Sequence, residues 1–186
     1  MNNLDPFNFD RFLKAQDLCF QQVLAELEGG RKSTHWMWYV FPQMAGLGNS
    51  SIAEFFAIKS REEAEAYAQH SVLGQRLVLC IRKVLEHKNL DAKEIFGFPD
   101  YLKFHSSLTL FFTVSQEKEL YQQAIDIFDQ ATAYKEAGYT VIVNAIQAKV
   151  TFMDQREPSR EMVKEVEDLF LRLGDLPESD ERFDRW

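Results

Sequence analysis

Glycine and proline are scarce in this chain, whose 186 residues include eight glycines and five prolines. This scarcity excludes collagen-like and low-complexity proteins, which are rich in one or both residues. Instead, 46% of the residues are hydrophobic and sixteen are phenylalanine, which excludes a wholly disordered chain. A chain of this length can bury a sizeable core, and we expect one globular domain, or one domain with an appendage.

Cysteine is almost absent too, and no long apolar run is present. Cys19 and Cys80 lie far apart inside helical patterns, which predicts two unpaired thiols in a cytosolic core rather than a disulfide. The first residues have neither the basic nor the hydrophobic part of a signal peptide. The longest apolar run covers residues 36–42, far short of the roughly 20 residues of a membrane span. We therefore expect a cytoplasmic protein without membrane contact.

Basic residues are outnumbered, since the formal net charge is -8. Nucleic-acid binding needs a concentrated basic surface and is therefore disfavoured, although the tryptophans could stack on single-stranded bases. Residues 154–186 hold eleven acids and six bases, whereas residues 1–153 carry a net charge of only -3. A pocket for an anion is compatible with that first part. The acidic end is a candidate contact surface for a protein partner.

Common catalytic signatures are missing from the sequence. It contains no GxxxxGK[ST], GxSxG or HExxH motif and no cluster of cysteine and histidine. The four histidines are isolated, so we predict neither a metal site nor a bound cofactor.

Helical spacing of apolar residues and cap signatures predict most of the elements. A first helix is expected over residues 8–28, with Asn8 as its cap and Gly29-Gly30 at its end. Gln16 lies in the middle of its apolar stripe, so we expect this amide to have a specific partner. Further helices are predicted over residues 52–58, 60–69, 71–84 and 117–130, and a cap signature at Asp91 predicts a short turn that ends at Gly97.

Two segments fit both a helix and a strand. Residues 36–41 are apolar on every side, and Ser33 or Thr34 could cap a short helix that Pro42 ends. Residues 100–114 place phenylalanines on one helical face, but they also alternate as a strand would, and their β-branched residues mildly favour the strand.

Three groups of residues could bind a ligand, and each has a plainer structural explanation. The basic run from Arg31 to His35 precedes two tryptophans and could hold an anion beside stacking rings, or it could be the solvated edge of a core. The segment Gly46-Leu-Gly48 could approach a phosphate, or be an ordinary loop. Lys103 and the hydroxyls near it could contact an anion, or bond to their own backbone.

These same residues carry a family resemblance. The matching motifs are Arg11-Phe12, Ala15-Gln16, Gly30-Arg-Lys-Ser-Thr-His-Trp-Met-Trp-Tyr-Val-Phe-Pro-Gln43, Gly46-Leu-Gly48, His70-x-x-Leu-Gly-x-Arg-Leu77 and Ile95-Phe-Gly97-x-x-Asp100-x-x-Lys103-x-x-Ser-Ser-x-Thr-Leu-Phe111. Together they resemble the bacterial family called domain of unknown function 1810, which is sometimes labelled calpastatin. That label fits poorly, because calpastatin inhibitory segments are disordered and this chain is rich in core residues. A methionine is usual in the family where this chain has Leu108, a swap that conserves volume.

The resemblance implies an all-α fold, a compact domain of helices packed at steep angles over residues 9–130. It favours the helix for both ambiguous segments, and it implies no reaction. Residues 131–186 are expected to form a C-terminal extension with a short strand pair or a further helix, acidic from residue 154 and frayed at its end.

Polar residues set among apolar motif residues suggest one shared pocket. We therefore predict a pocket for a small anionic, nucleotide-like ligand, and whether the protein is an enzyme stays open. His35 is the candidate acid–base group, because the pKa of histidine lies nearest neutrality. Charge would come from His35, Lys32 and Lys103, and stacking from Trp36 or Trp38. Hydrogen bonds would come from Gln16, Gln43 and Ser107. The rival hypothesis is a protein-interaction module without catalytic activity, which binds through the acidic tail or an exposed aromatic patch.

Overall fold

The computed structural model describes residues 5–48 and 50–132, and these form nine α-helices and no strand. The all-α prediction is therefore confirmed for this part of the chain. One isolated parallel bridge joins Met44 to Ile58. The helices are α1 (Asp10–Asp17), α2 (Phe20–Glu28), α3 (Met37–Val40), α4 (Ser51–Phe56), α5 (Arg61–Gln69), α6 (Leu73–Leu85), α7 (Ala92–Phe96), α8 (Asp100–Val114) and α9 (Lys118–Thr132).

The single first helix predicted from the apolar stripe is wrong, because the chain breaks between α1 and α2. Asn8 has a positive φ of 53° and does not cap α1, whose N-cap residue is Phe9. At the break Leu18 is 89% exposed, and Cys19 leaves helical geometry with φ at -141°. The break lets α1 pack against α3 while α2 packs against α6. The two halves of one apolar stripe thus bury against different partners.

The tryptophan segment forms the short helix α3, so the helical interpretation is confirmed and the helix ends before Pro42. The predicted caps are wrong, because the N-cap residue is Trp36 and no side chain caps the helix. The backbone amides of Ser33 and Thr34 donate to the carboxylate of Glu26 instead. This carboxylate therefore shapes the entry to α3.

Several other boundaries agree with their cap signatures. Ser60 caps α5 through the backbone amide of Glu63. Asp91 and Glu94 form a complete capping box at α7. Ser50 caps α4 by accepting the backbone amide of Ala53. Local side-chain bonds of this kind involve only three or four neighbouring residues, which makes them readable from sequence.

Helix α8 is the central element of the core. It contacts α3, α5, α7 and α9, and eight of its residues are buried. Phe104 stacks on Phe96 with ring centroids 4.5 Å apart and meets Phe41 edge-on at 4.8 Å. Much of the phenylalanine content is therefore core packing. The first turn of α8 lies beside the loop that leads into α3, since Lys32 and Asp100 form an ion pair there.

The described residues contain no helix long and apolar enough to span a membrane. Cys19 and Cys80 are both free thiols. Within the same part of the chain, no cluster of histidine, cysteine and carboxylate could hold a metal ion. The predicted strand pair or helix and the acidic end of the C-terminal extension fall on residues 133–186, outside the described residues.

Candidate functional site

The residues predicted for the site do not all meet in one place. Lys32, Trp36, Trp38 and Lys103 come together around Asp100, and we call these five residues the lysine-pair site. The remaining predicted residues are Gln16 in a separate hydrogen-bond network, Gln43 bonded to the segment that follows α4, His35 on the surface, and Ser107 one helical turn beyond Lys103.

The centre of the lysine-pair site is one carboxylate shared by two ammonium groups. Asp100 Oδ2 lies 2.5 Å from Lys32 Nζ, and Asp100 Oδ1 lies 2.9 Å from Lys103 Nζ. All three side chains are at least four-fifths buried. Among the described residues, no other acid is within ion-pairing distance of either lysine. The three groups therefore sum to one uncompensated positive charge in a poorly solvated place.

Each lysine also lies over a tryptophan. Lys103 Nζ is 4.8 Å from the centroid of the Trp38 ring, and Lys32 Nζ is 5.3 Å from that of Trp36. Cations at such distances are attracted by the negative face of the ring. Trp36 is fully buried, whereas Trp38 is partly exposed. Of the two predicted stacking residues, Trp38 is the one that a ligand could reach in this structure.

The loop that carries Lys32 and His35 is held by Glu26 of α2. Its carboxylate accepts hydrogen bonds from the backbone of Ser33 at 2.8 Å, from the backbone and hydroxyl of Thr34 at 3.1 and 2.6 Å, and from the indole of Trp36 at 2.8 Å. Burial raises the pKa of Glu26, but these bonds outweigh it and the pKa falls to about 2. Glu26 is therefore ionised at neutral pH and fixes the loop.

Lys32 is also fixed through its backbone, whose N–H donates to the carbonyl of Ile95 at 2.7 Å. This bond ties the loop to α7, the helix that precedes α8. The two lysines are thus brought together by two elements that are far apart in sequence.

Ser107 carries an unusual hydroxyl. It is fully buried, and its Oγ has no hydrogen-bond partner among the described residues. Asp100, Lys103 and Ser107 follow the i, i+3, i+7 spacing of one helical face. Buried polar atoms are normally satisfied, so this hydroxyl, which no acceptor in the described part of the chain reaches, is notable on the face that carries the lysine-pair site.

Gln16 has the specific partner that its position in the stripe predicted. Its amide donates to the backbone oxygen of Tyr39 at 2.7 Å and to the hydroxyl of Tyr67 at 3.2 Å, while Arg76 donates to its Oε1 at 3.3 Å. This network braces α1 against α3, α5 and α6. None of its members belongs to the lysine-pair site.

His35 and Gln43 stand apart from both groups. His35 is exposed, and within the described residues its side chain makes no hydrogen bond or ion pair. Gln43 accepts the backbone N–H of Ile58 through its own backbone oxygen, at 2.9 Å. Neither side chain is positioned by a partner, so the ligand roles of both residues stay predictions.

Sequence reasoning missed Asp100 and Glu26 as site residues. Asp100 had a readable signal, because an acid three residues before Lys103 on a helix is placed to pair with it. Glu26 had none, since its bonds cross a glycine turn whose geometry the sequence alone does not fix.

A surface groove of about 600 Å³ lies elsewhere, between α6 and the junction of α8 with α9. It is lined by Gly74, Val78 and Leu79 of α6 and by Val114 and Ser115 of the junction. Its charged groups Arg82 and Glu117 pair with each other at 2.7 Å. The groove therefore has no surplus charge comparable to that of the lysine pair, and it contains none of the predicted site residues.

Comparisons with known proteins place the chain in a family without an assigned activity. The family model described as Protein of unknown function (DUF1810) matches residues 6–140. The crystal structure of the conserved hypothetical protein Rv1873 from Mycobacterium tuberculosis superimposes with a TM-score of 0.67 at 40% sequence identity, over 73% of this chain and 96% of that one. No curated protein matches the chain significantly.

Proposed function

We propose that this chain, which belongs to the family described as Protein of unknown function (DUF1810), binds a small anionic ligand at its lysine-pair site. The ligand carries a planar, nucleotide-like part beside its anionic group. The observation that carries the proposal is the surplus positive charge of Lys32 and Lys103 around the single carboxylate of Asp100.

Burial makes the surplus charge of the lysines costly. An ammonium group taken out of water loses hydration that must be replaced by acceptors or by an opposite charge. Each ammonium has three donors, yet among the described residues each lysine has one carboxylate oxygen and one tryptophan ring as its partners. An anion between or beside the lysines would supply the missing acceptors, and a phosphate or carboxylate group has the matching chemistry.

The surroundings of the lysines favour a ligand with a ring. Trp38 is partly exposed next to Lys103, and a planar group could stack on its indole while the anion meets the ammonium. The buried hydroxyl of Ser107 would gain a partner if an acceptor of the ligand reached the same helical face.

Whether binding leads to a reaction depends on His35. This residue lies three positions after Lys32 on the same loop, and it is exposed, so it is free to act as an acid or base on a bound ligand. Cys80 is not a competing nucleophile at neutral pH, because burial raises the pKa of its thiol to about 12. The free thiols of Cys19 and Cys80 support a cytoplasmic location.

A thermal-shift experiment tests the binding proposal. Benzoate, AMP and 3′,5′-cyclic AMP each join an anionic group to a planar ring, and we expect at least one to raise the Tm of the wild-type protein. Lys32→Gln and Lys103→Gln should fold, as judged by circular dichroism, and lose that rise. Lys14→Gln is the matched control, because Lys14 is exposed and its ion pair with Asp10 lies on the surface.

Two results would contradict the proposal. A Tm that no probe raises in the wild-type protein would remove the ligand class. An equal rise in both lysine variants and in the control would place binding elsewhere.

A further inference from the structure

The carboxylate of Asp100 takes the position that an anionic ligand would take between the two lysines. Each of its oxygens meets a different ammonium, Oδ2 at Lys32 and Oδ1 at Lys103. This bridging geometry is that of a carboxylate or phosphate ligand held by two cations. Any ligand anion bound by the pair must therefore come close to a fixed negative charge.

The charge balance of the site limits what such a ligand can be. With Lys32, Lys103 and Asp100 ionised, the site carries one positive charge, and all three side chains are largely removed from water. A ligand group with a single negative charge brings the sum to zero. A group with two negative charges leaves an excess negative charge beside Asp100, where poor solvation makes like-charge repulsion costly.

We infer that Asp100 determines the charge of the ligand, so that the lysine-pair site takes singly charged anions and discriminates against doubly charged ones. Phosphodiesters and carboxylates belong to the accepted class, and phosphomonoester dianions to the rejected class. The inference rests on the proposed function, which it narrows to a ligand class.

The geometry of α8 indicates that the side chain of Asp100 is held in place. This residue begins the helix directly after its N-cap residue Pro99, and its backbone is held by the α8 first turn. Its side chain has an ion pair on both oxygens, so moving it away would break both contacts at once. A doubly charged ligand therefore has two ways to bind. It can displace the Asp100 carboxylate, which breaks both ion pairs, or it can bind beside that carboxylate.

The test compares ligands that share one phosphate group and differ in its charge. Diethyl phosphate carries one charge, whereas ethyl phosphate carries two at about pH 8, above its second pKa. Titrations followed by the indole N–H resonance of Trp38, assigned with Trp38→Phe, give a Kd for each. We expect the wild-type protein to bind diethyl phosphate about tenfold more tightly or better. Acetate, measured in the same way, separates the carboxylate from the phosphodiester as a source of the single charge.

Asp100→Asn is the decisive variant, because it removes the charge and keeps the shape. In this variant the preference should disappear or reverse in favour of ethyl phosphate. Asp10→Asn, which changes the same charge in an exposed pair with Lys14, should keep the wild-type preference. If Asp100→Asn does not fold, methyl sulfate and sulfate, which carry one and two charges at any pH near neutrality, repeat the comparison in the wild-type protein alone.

The outcomes separate the two proposals. Equal or tighter binding of the doubly charged probes by the wild-type protein overturns the charge selectivity and leaves anion binding intact. An unchanged preference in Asp100→Asn overturns the role of Asp100. If none of these anions binds the wild-type protein or Asp100→Asn, the proposed function fails and the selectivity fails with it.

Discussion

One carboxylate, that of Glu26, determines the shape of the loop on which Lys32 and His35 lie. It accepts hydrogen bonds from two backbone amides, a hydroxyl and an indole, all within residues 33–36. Proteins also bind external anions through backbone amides that point at the anion in this way. Here the anion is internal, and its function is to hold the lysine-pair site together.

Replacing Glu26 by glutamine should destabilise the protein by about 1 to 3 kcal/mol. The NH2 group of glutamine would face N–H donors whose hydrogen bonds the carboxylate now accepts, and these donors would lose their acceptor. Urea unfolding at neutral pH measures this loss. Glu28→Gln is the control, because Glu28 lies on α2 like Glu26 but has an exposed side chain that pairs with Lys83 of α6. This substitution should change the free energy of unfolding by about 0.5 kcal/mol or less. Equal stability of the Glu26 variant and the wild-type protein would show that the loop does not depend on this carboxylate.

The same residue predicts a dependence on acid. The pKa of Glu26 is lowered in the folded state to about 2, below the value of an unfolded glutamate. A lowered folded pKa gives stability that is present above the unfolded pKa and is lost as the pH falls towards the folded one. The difference in unfolding free energy between the wild-type protein and Glu26→Gln should therefore shrink steadily between about pH 5 and pH 2. A constant difference over that range would contradict this assignment.

The sequence could not predict the bonds of Glu26. Ser33 and Thr34 were expected to cap α3, and they are instead partners of a residue seven and eight positions earlier. The turn that brings them together passes through Gly30, whose φ is 66°. Glycine adopts this conformation readily, but nothing in the sequence says which way the chain then runs. The need of Gln16 for a hydrogen-bond partner was easier to predict, because an amide inside an apolar stripe must be paired whichever way the chain runs.

At the scale of elements, the junction of α5 and α6 depends on close packing at one glycine. His70 is the C-cap residue of α5. Its Nδ1 accepts the backbone amides of Val72 and Leu73 at 3.1 and 3.3 Å, so the imidazole satisfies amides at the start of α6. One turn on, Gly74 lies against α5 so closely that a Cβ atom there would sit 2.9 Å from the carbonyl carbon of Ala68. The two helices could not approach as they do with a larger residue.

Gly74→Ala should therefore destabilise the protein by about 1 to 3 kcal/mol, as overpacked positions do. Helix propensity alone predicts the opposite sign, a stabilisation of up to about 1 kcal/mol. The sign of the change, measured by thermal or urea unfolding, decides between the two effects. Gln75→Ala, at the next and exposed position of α6, has no such contact and should be neutral or slightly stabilising. A stabilised Gly74 variant would show that α5 can move away at little cost.

Elements with a polar face were predictable and elements without one were not. The predicted extents of α5, α6 and α9 agree closely with the structure, because each of these helices has an exposed polar side that contrasts with its apolar stripe. The cap of α7 was also readable, but it predicted only a short turn where the structure has a helix. Helix α8 is packed by α3, α5, α7 and α9, so its apolar residues occupy most of its faces and fit a strand equally well. The break between α1 and α2 was missed for a different reason. The stripe continues through it, and only the packing partners change.

At the scale of the whole molecule, the lysine-pair site is assembled from a loop after α2, the short helix α3 and the start of α8. Lys32 and Lys103 are both in the motifs that mark the family, so the sequence could nominate them. It could not show that they meet, because the contact depends on α7 holding the loop through Ile95. Gln16 and His35 were nominated by the same reasoning and lie elsewhere. Gln16 is a brace, Lys32 and Lys103 form the site, and His35 is neither, so a polar residue in an apolar motif does not by itself mark a ligand contact.

The family match and the described core indicate where the folded domain ends. The family match ends at residue 140, and 73% of this chain covers 96% of the Mycobacterium tuberculosis relative. The core identified in the described residues runs from Phe9 to Ala124. A chain that ends after residue 140 should therefore unfold cooperatively in urea, with helical circular dichroism before the transition, and should still bind the probes that the full chain binds.

Truncation should also change the electrostatics of binding. Residues 141–186 contain eleven acids and seven bases, so their removal takes away half of the net charge of -8. A less negative molecule attracts anions more strongly at low ionic strength. We expect the shortened chain to bind methyl sulfate more tightly than the full chain in low salt, and equally well at about 0.3 M salt, where the Debye length is only about 6 Å. A shortened chain that fails to fold, or loses anion binding at every salt concentration, would make the C-terminal residues part of the domain.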